Sequence, residues 1–215
     1  MKKASRSTRR NTGSKKLSRS FYDRPTLKVA RALLGKRLVR VSRGRRLSGI
    51  IVETEAYMGP DDVASHARHG EASRAAPMFG EPGHAYVYFT YGMHYCLNCV
   101  TEPKGSGTAV LIRALEPDEG IAAMRRNRRL RSAHLKELPD HELTDGPAKL
   151  CQALDLDQRL NREDLLGGTL CIEDAPDVPP RKIGKSSRVG IRRGREHQWR
   201  FYLKDSVFVS AHPKY

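Results

Sequence analysis

The sequence lacks long apolar runs, a dense set of cysteines and, at its beginning, acidic residues. No apolar stretch approaches the roughly 20 residues that a membrane-spanning helix needs. The charged N-terminus also lacks the apolar segment of a secretory signal. Four cysteines in 215 residues are too few for a disulfide-dense scaffold and indicate a reducing compartment. Hydrophobic residues make up 38% of the chain, which suffices for the core of one domain.

Acidic residues are almost absent from the first quarter of the chain. Residues 1–50 hold 17 lysines and arginines and one acid, Asp23, whereas residues 51–215 hold 23 of each and carry no net charge. This asymmetry is typical of a protein that binds a polyanion, either nucleic acid or a membrane surface, although a solubilising tail would also produce it. Residues 1–20 have no amphipathic apolar face, which favours nucleic acid. We expect them to form a disordered basic arm, followed by a domain over 21–215.

Hydrophobic patterning predicts more strands than helices, without strict alternation between them. Strands are predicted at 37–41, 47–57, 84–90, 94–101, 108–114, 169–172, 189–191, 199–203 and 207–210. Helices are predicted at 26–34, 117–130 and 147–154. This pattern indicates the α+β class rather than a doubly wound sheet. The β-rich runs on both sides of Tyr91-Gly92-Met93 predict a hairpin, and residues 58–83 form a long loop of the kind that often carries function.

Two carboxylates stand on one face of the predicted strand 47–57. Side chains alternate along a strand, so Glu53, Glu55 and Tyr57 share a face. Such a pair suits a general base with a neighbouring structural acceptor, or else a solvated strand face. Arg113 ends an apolar run. Because a half-buried arginine usually pairs with a carboxylate, we expect it to contact Glu53 or Glu55.

Two other patterns could hold a metal ion. Cys96-x-x-Cys99 has the spacing of a zinc or redox motif, but no second such pair exists, and its surroundings are those of a buried strand. His66 with Asp61 and Asp62 could serve a metal-dependent hydrolase, although no spacing such as HExxH accompanies them. Both interpretations stay open at this point.

Tyrosines are concentrated in the predicted hairpin. Tyr86 and Tyr88 share a face and Tyr91 lies at the turn. In a basic protein such tyrosines can stack on bases or wedge between them, although ordinary sheet packing gives the same pattern. Asn98 lies among apolar neighbours, where its amide needs hydrogen-bond partners in the core or on a ligand.

Taken together, six segments resemble the alkyladenine (3-methyladenine) DNA glycosylases of the mammalian type. They are VARALLGKRLVR (29–40), GIIVETEAYMGPDDVASHARHG (49–70), MFGEPGHAYVYFTYGMHYCLNCV (78–100), AVLIRALEP (109–117), DGPAKLCQALDL (145–156), and RVGI with WRFYL (188–191 and 199–203). The resemblance covers about residues 21–210, and three of its motifs, VETEAYxGPxD, YVYxxYGM and GPxKLCQAL, are highly specific. It implies a single α+β domain around a curved antiparallel sheet with a protruding, DNA-inserting β-hairpin. The segment GEASRAAP (70–77) departs from the family pattern.

The resemblance implies a role for each candidate residue. Glu55 would be the general base for a water that attacks the sugar, and Arg113 and the carbonyl of Val189 would hold that water. A pocket for the extruded base would be formed by Tyr57, His66, Tyr88 and Asn98. Contacts with DNA would come from Tyr91, which fills the gap in the duplex, and from Met93, Met78 and Lys149.

The implied function is a monofunctional DNA glycosylase of base excision repair. It would remove alkylated or deaminated purines, of the 3-methyladenine, 7-methylguanine, hypoxanthine and ethenoadenine class, by base flipping and hydrolysis. Alkylated purines are electron-poor or cationic, so tyrosine faces favour them. The motifs around Glu55, Tyr88 and Arg113 contain no lysine, which argues against a covalent lysine and β-lyase activity. The alternative is a non-catalytic DNA- or RNA-binding protein, which would lack Glu55 or Arg113.

The same resemblance implies no metal and no organic cofactor. The expected partner is double-stranded DNA with a damaged purine, bound by a monomer that does not associate with membranes. The expected location is the cytoplasm, in association with DNA, for a bacterial protein. For a eukaryotic protein it is the nucleus or an organelle, and the basic N-terminus could then serve as a transit peptide.

Overall fold

An antiparallel sheet of eight strands forms the centre of the fold in the computed structural model, which describes residues 15–131 and 138–210. The strands are β1 (Arg37–Ser42), β2 (Arg45–Met58), β3 (Ala85–Thr90), β4 (His94–Thr101), β5 (Thr108–Glu119), β6 (Leu170–Glu173), β7 (Ile183–Ser186) and β8 (Arg200–Leu203). They follow the order β3-β4-β5-β2-β1-β6, and β8 pairs with both β2 and β7. Every pairing is antiparallel, and helices flank the sheet. The predicted α+β class with one antiparallel sheet is therefore confirmed.

The helices are short and connect or flank the strands. The α-helices of the described residues are α1 (Arg19–Tyr22), α2 (Thr26–Ala32), α3 (Ile121–Arg131) and α4 (Pro147–Ala153). Single 3₁₀ turns lie at His66–His69, Ala76–Phe79, Asp140–Glu142, Gln158–Leu160 and Pro180–Lys182. No helix in the described ranges is long and apolar enough to cross a membrane.

Strand β2 separates the main core from the candidate site. Its fully buried Thr54 donates to the carbonyl of Ala30 in α2 at 2.8 Å, and Ala56 belongs to the core that contains the α2 residue Val29. Side chains at alternate positions point to the other face. Tyr57 accordingly packs against a second, smaller apolar cluster under the loop 58–83. The predicted alternation along this strand thus places the carboxylates and the core on different sides.

The folded part of the chain begins earlier than the sequence predicts. Leu17 is buried, and its N–H donates to the carbonyl of Ile172 at 2.9 Å. Lys16 donates to the carbonyl of Gly167 at 2.6 Å. Residues 15–20 of the expected arm thus pack against the domain predicted over 21–215, and Leu17 adds apolar burial at the edge of the sheet. Residues 1–14 of the expected arm lie outside the described residues.

Three predicted elements differ from the structure. The helix expected from Pro117 begins at Ile121, because β5 continues to Glu119 and Gly120 makes the turn with φ +79°. A Cβ at Gly120 would lie 2.5 Å from Leu47, so this position needs glycine. The segments 189–191 and 207–210 are loops rather than strands. Strand β7, which pairs with β8, was not predicted from the sequence.

Candidate active site

A pocket of about 230 Å³ opens beside β2, between the β3–β4 hairpin, the loop 58–83 and the loop that carries Val189. Eight of the predicted site residues line it: Tyr57, His66, Met78, Tyr88, Tyr91, Asn98, Arg113 and Val189. The other lining residues are Ala64, Tyr86, Thr90, Cys96, Leu111, Pro147, Gly190 and Ile191. The fold thus brings together residues that are up to 134 positions apart in the sequence.

Glu55 is fully buried beside this pocket, and three pocket residues hold its carboxylate. The N–H of Val189 donates to Oε1 at 2.7 Å, and the phenol of Tyr57 donates to Oε2 at 3.1 Å. Arg113 lies 3.4 Å from Oε1. Burial and the Glu55 carboxylate raise the pKa of Tyr57 well above its ordinary value, so this phenol remains a donor. The family resemblance implies a role for the Val189 carbonyl towards the attacking water, and the structure adds a contact of the Val189 amide with Glu55.

Glu53 organises a second buried charge cluster next to Glu55. It accepts hydrogen bonds from Nε of Arg113 at 3.0 Å, Nε of Arg200 at 2.6 Å, and the N–H and hydroxyl of Ser210 at 2.8 and 2.9 Å. Burial alone would raise the pKa of Glu53, but Arg113 and Arg200 lower it below the ordinary value. Despite its own burial, Arg113 has a raised pKa because Glu55 and Glu53 face it. The prediction that Arg113 pairs with Glu53 or Glu55 is confirmed, and the structure pairs it with both.

Aromatic rings form the walls of the pocket. The rings of Tyr86 and Tyr88 stack with centroids 5.3 Å apart, and His66 meets Tyr88 edge-to-face at 4.6 Å. Nδ1 of His66 lies 3.0 Å from the phenol oxygen of Tyr86, and Arg74 donates to Nε2 at 3.0 Å. Burial, together with Arg74, lowers the pKa of His66 to about 4. The imidazole is therefore neutral at physiological pH, with its proton on Nδ1.

Asn98 and the cysteines lie on β4, at the back of the pocket. The side-chain amide nitrogen of Asn98 donates to the carbonyl of Tyr86 at 3.0 Å, and this bond fixes the orientation of the amide. Cys96 lines the pocket, while Cys99 is buried in the core, where burial raises the pKa of its thiol to about 12. The interpretation of the Cys-x-x-Cys pair as part of a buried strand is therefore confirmed.

The residues expected to contact DNA occupy different environments. At the turn of the hairpin, Tyr91 is 82% exposed with φ +51°, and Met93 is 65% exposed. Met78 is buried and contributes to the pocket wall. Lys149 on α4 binds Asp145 at 2.8 Å, so the structure engages it in an ion pair outside the pocket.

The alternative metal site finds no support in the geometry of its residues. Both carboxylate oxygens of Asp62 accept bonds from Arg188, and they also accept the N–H groups of Met58 and Ala64. Both ring nitrogens of His66 have partners as well. Within 15–131 and 138–210, no group of three or more His, Cys, Asp or Glu side chains converges as a metal site would require.

Three residues around the site were not predicted from the sequence. Arg188, Arg200 and Ser210 connect the C-terminal third of the chain to β2 through Asp62 and Glu53. Arg188 and Arg200 lie inside the RVGI and WRFYL segments, so motif position alone could have indicated them. Ser210 carries no local signal, because its role depends entirely on a contact 157 residues away.

Comparison with known proteins agrees with this geometry. The family model described as "Methylpurine-DNA glycosylase (MPG)" matches residues 20–207. The chain is 48% identical over 196 residues to a protein of Chlorobium phaeovibrioides, covering 91% of this chain and 96% of that one. It is 47% identical to a protein of Desulfitobacterium hafniense, with 92% and 99% covered, and 49% identical to one of Methanocella arvoryzae, with 90% and 95% covered. All three bear the name "Putative 3-methyladenine DNA glycosylase". The chain therefore belongs to the methylpurine-DNA glycosylase family.

Proposed function

We propose that this protein is a monofunctional DNA glycosylase that excises alkylated or deaminated purines from duplex DNA. It acts as a monomer in DNA repair and needs neither a metal nor an organic cofactor. Its substrates are of the class that includes 3-methyladenine, 7-methylguanine, hypoxanthine and ethenoadenine. Family membership supports DNA glycosylase activity, and the names of the relatives support 3-methyladenine as a substrate.

The observation that carries the proposal is the buried carboxylate of Glu55 beside an aromatic pocket. Glu55 would take a proton from a water as the water oxygen forms a bond to the sugar C1′. The N-glycosidic bond breaks, and its electron pair leaves with the damaged base. Arg113, fixed between the two glutamates, would orient that water. None of the described residues that line the pocket is a lysine, so hydrolysis rather than an imine with the sugar is the chemistry available.

The pocket is suited to a flat, electron-poor base. Tyr57, Tyr88 and the neutral His66 would surround the extruded purine, and stacking on aromatic side chains contributes about 1–3 kcal/mol per base. The side chain of Asn98 would disfavour the exocyclic amine of an undamaged guanine, which makes it a determinant of base choice. The exposed ring of Tyr91 would enter the duplex where the nucleotide has left, offsetting the few kcal/mol that extrusion costs.

A panel of duplexes, each with one defined lesion, tests this function. We expect release of free base from the lesion duplexes, full activity in EDTA, and an intact abasic strand as product. Strand cleavage without added alkali would contradict the monofunctional mechanism. Loss of activity in EDTA would instead support a metal-dependent hydrolase.

A further inference from the structure

Arg188 lies behind the aromatic wall of the pocket, where it contacts two aromatic rings in addition to its ion-pair partner Asp62. Its side chain is 0% exposed and is absent from the pocket lining. The centre of its guanidinium lies 4.7 Å from the ring centroid of Tyr57 and 4.9 Å from that of Trp199. His197 in turn stacks on Trp199, with centroids 4.0 Å apart and the planes 4° from parallel. A continuous stack therefore leads from the pocket wall, past the buried guanidinium, to the protein surface at His197.

The guanidinium is also fixed by directed hydrogen bonds. It donates to both oxygens of Asp62, at 2.5 and 2.8 Å, and to the carbonyl of Ala56 at 3.0 Å. The next residue, Val189, donates its N–H to Glu55. Arg188 thus connects the residue before Tyr57, the loop that holds Asp62 and the segment that binds Glu55.

The position of this cation has an electrostatic consequence for the pocket. The attraction between an aromatic face and a cation depends on the negative potential of the ring. Because Arg188 lies over the Tyr57 ring yet does not line the pocket, it covers the face of that ring turned away from the cavity. A positive charge there lowers the negative potential that Tyr57 offers to a base in the pocket. Asp62 offsets this effect only in part, because it lies beyond the guanidinium.

We propose that Arg188 is a positioning and specificity-determining residue, which holds Tyr57 from behind and weakens its preference for cationic bases so that uncharged lesions are also accepted. The inference rests on the proposed function and concerns the preference of the pocket for cationic over uncharged bases. Without the charge, Tyr57 would favour a base such as 7-methylguanine, which is cationic in DNA, over an uncharged base such as hypoxanthine.

The test compares single-turnover release of 7-methylguanine and hypoxanthine from otherwise identical duplexes. Arg188→Met/Asp62→Asn removes both charges and keeps the volume. Its ratio of 7-methylguanine to hypoxanthine release is expected to rise roughly threefold to tenfold. This is the change expected when a positive charge about 8 Å from the base is removed at an effective dielectric of about 20 and the loss of the Asp62 carboxylate offsets part of the effect. Asp62→Asn alone leaves Arg188 uncompensated, and its ratio should fall. Arg188→Lys keeps the charge and loses the planar stack, so both rates should fall together.

Arg128→Met is the matched control, because Arg128 is a buried arginine that donates to the carbonyls of Glu142 and Leu143 away from the pocket. It should lower the melting temperature without moving the ratio. An unchanged ratio in both the double variant and Asp62→Asn would overturn the inference while leaving the proposed function intact. Release of 7-methylguanine alone by the wild type would do the same, because uncharged lesions would then not be accepted. Release of neither base by the wild type would contradict the proposed function itself.

Discussion

Replacing Glu53 by glutamine is expected to destabilise the protein by about 3–5 kcal/mol, the usual cost of removing one partner from a buried ion pair. Glu53 is fully buried and accepts four hydrogen bonds, two of them from the arginines 113 and 200. A glutamine would leave both cations without this counter-charge and would turn an NH₂ group towards donors. In a domain of this size the loss corresponds to a fall in melting temperature of roughly 6–20 °C.

The pH dependence of this loss follows from the lowered pKa of Glu53. A carboxyl whose pKa is lower in the folded state stabilises the protein above its unfolded value, here 4.5, and loses that contribution as the pH falls through the folded value. The difference between the wild type and Glu53→Gln should therefore be constant from about pH 6 to 8 and shrink below about pH 4.5.

Urea unfolding at several pH values measures this difference. Glu116→Gln is the control, because Glu116 is an exposed glutamate on the neighbouring strand β5, and its change should stay within about 0.5 kcal/mol. The assignment of Glu53 as the centre of the cluster would be refuted if the free energy of unfolding falls by less than about 1 kcal/mol at pH 7. It would also be refuted if the difference between the wild type and Glu53→Gln does not become smaller in acid.

Three further predictions concern DNA and the pocket. Tyr91→Ala should weaken binding to lesion-containing duplex by about 1–3 kcal/mol with little effect on undamaged duplex, and equal losses in a fluorescence titration would exclude a wedge role. Deletion of residues 1–14 should reduce the slope of log affinity against log salt by about 0.9 for each phosphate that these residues bind, and an unchanged slope would exclude them from DNA binding. Arg74→Gln should raise the pKa of His66 above about 4 in an NMR titration, because it removes a nearby positive charge. An unaltered value would show that burial alone keeps the imidazole neutral.

The strands and their faces were predictable where a strong local pattern existed. Alternation along 47–57 placed Glu53, Glu55 and Tyr57 on one face, and the apolar run before Arg113 indicated its pairing with them. The hairpin around 91–93 likewise followed from two β-rich runs on either side of a glycine.

The remaining features depend on contacts that are distant in sequence. Val189 looks like a strand residue, but its N–H binds Glu55 and the following Gly190 has φ +77°. Leu17 belongs to a basic segment whose composition predicts disorder, yet it is buried beside β6. Single apolar or polar residues of this kind become informative only when the partner surface is known. Local propensity therefore could not assign them.

The measurement that tests the central claim most directly is base release by Glu55→Gln on duplex DNA with a single methylated purine. The glutamine is nearly isosteric but cannot accept the proton of the attacking water, and loss of a general base typically costs about 10²–10⁴-fold in rate. We expect the rate of single-turnover base release to fall by at least about 10²-fold. The affinity for the damaged duplex should remain close to that of the wild type, and Glu116→Gln should behave as the wild type. Release by Glu55→Gln at the wild-type rate would contradict the assignment of Glu55 as the general base.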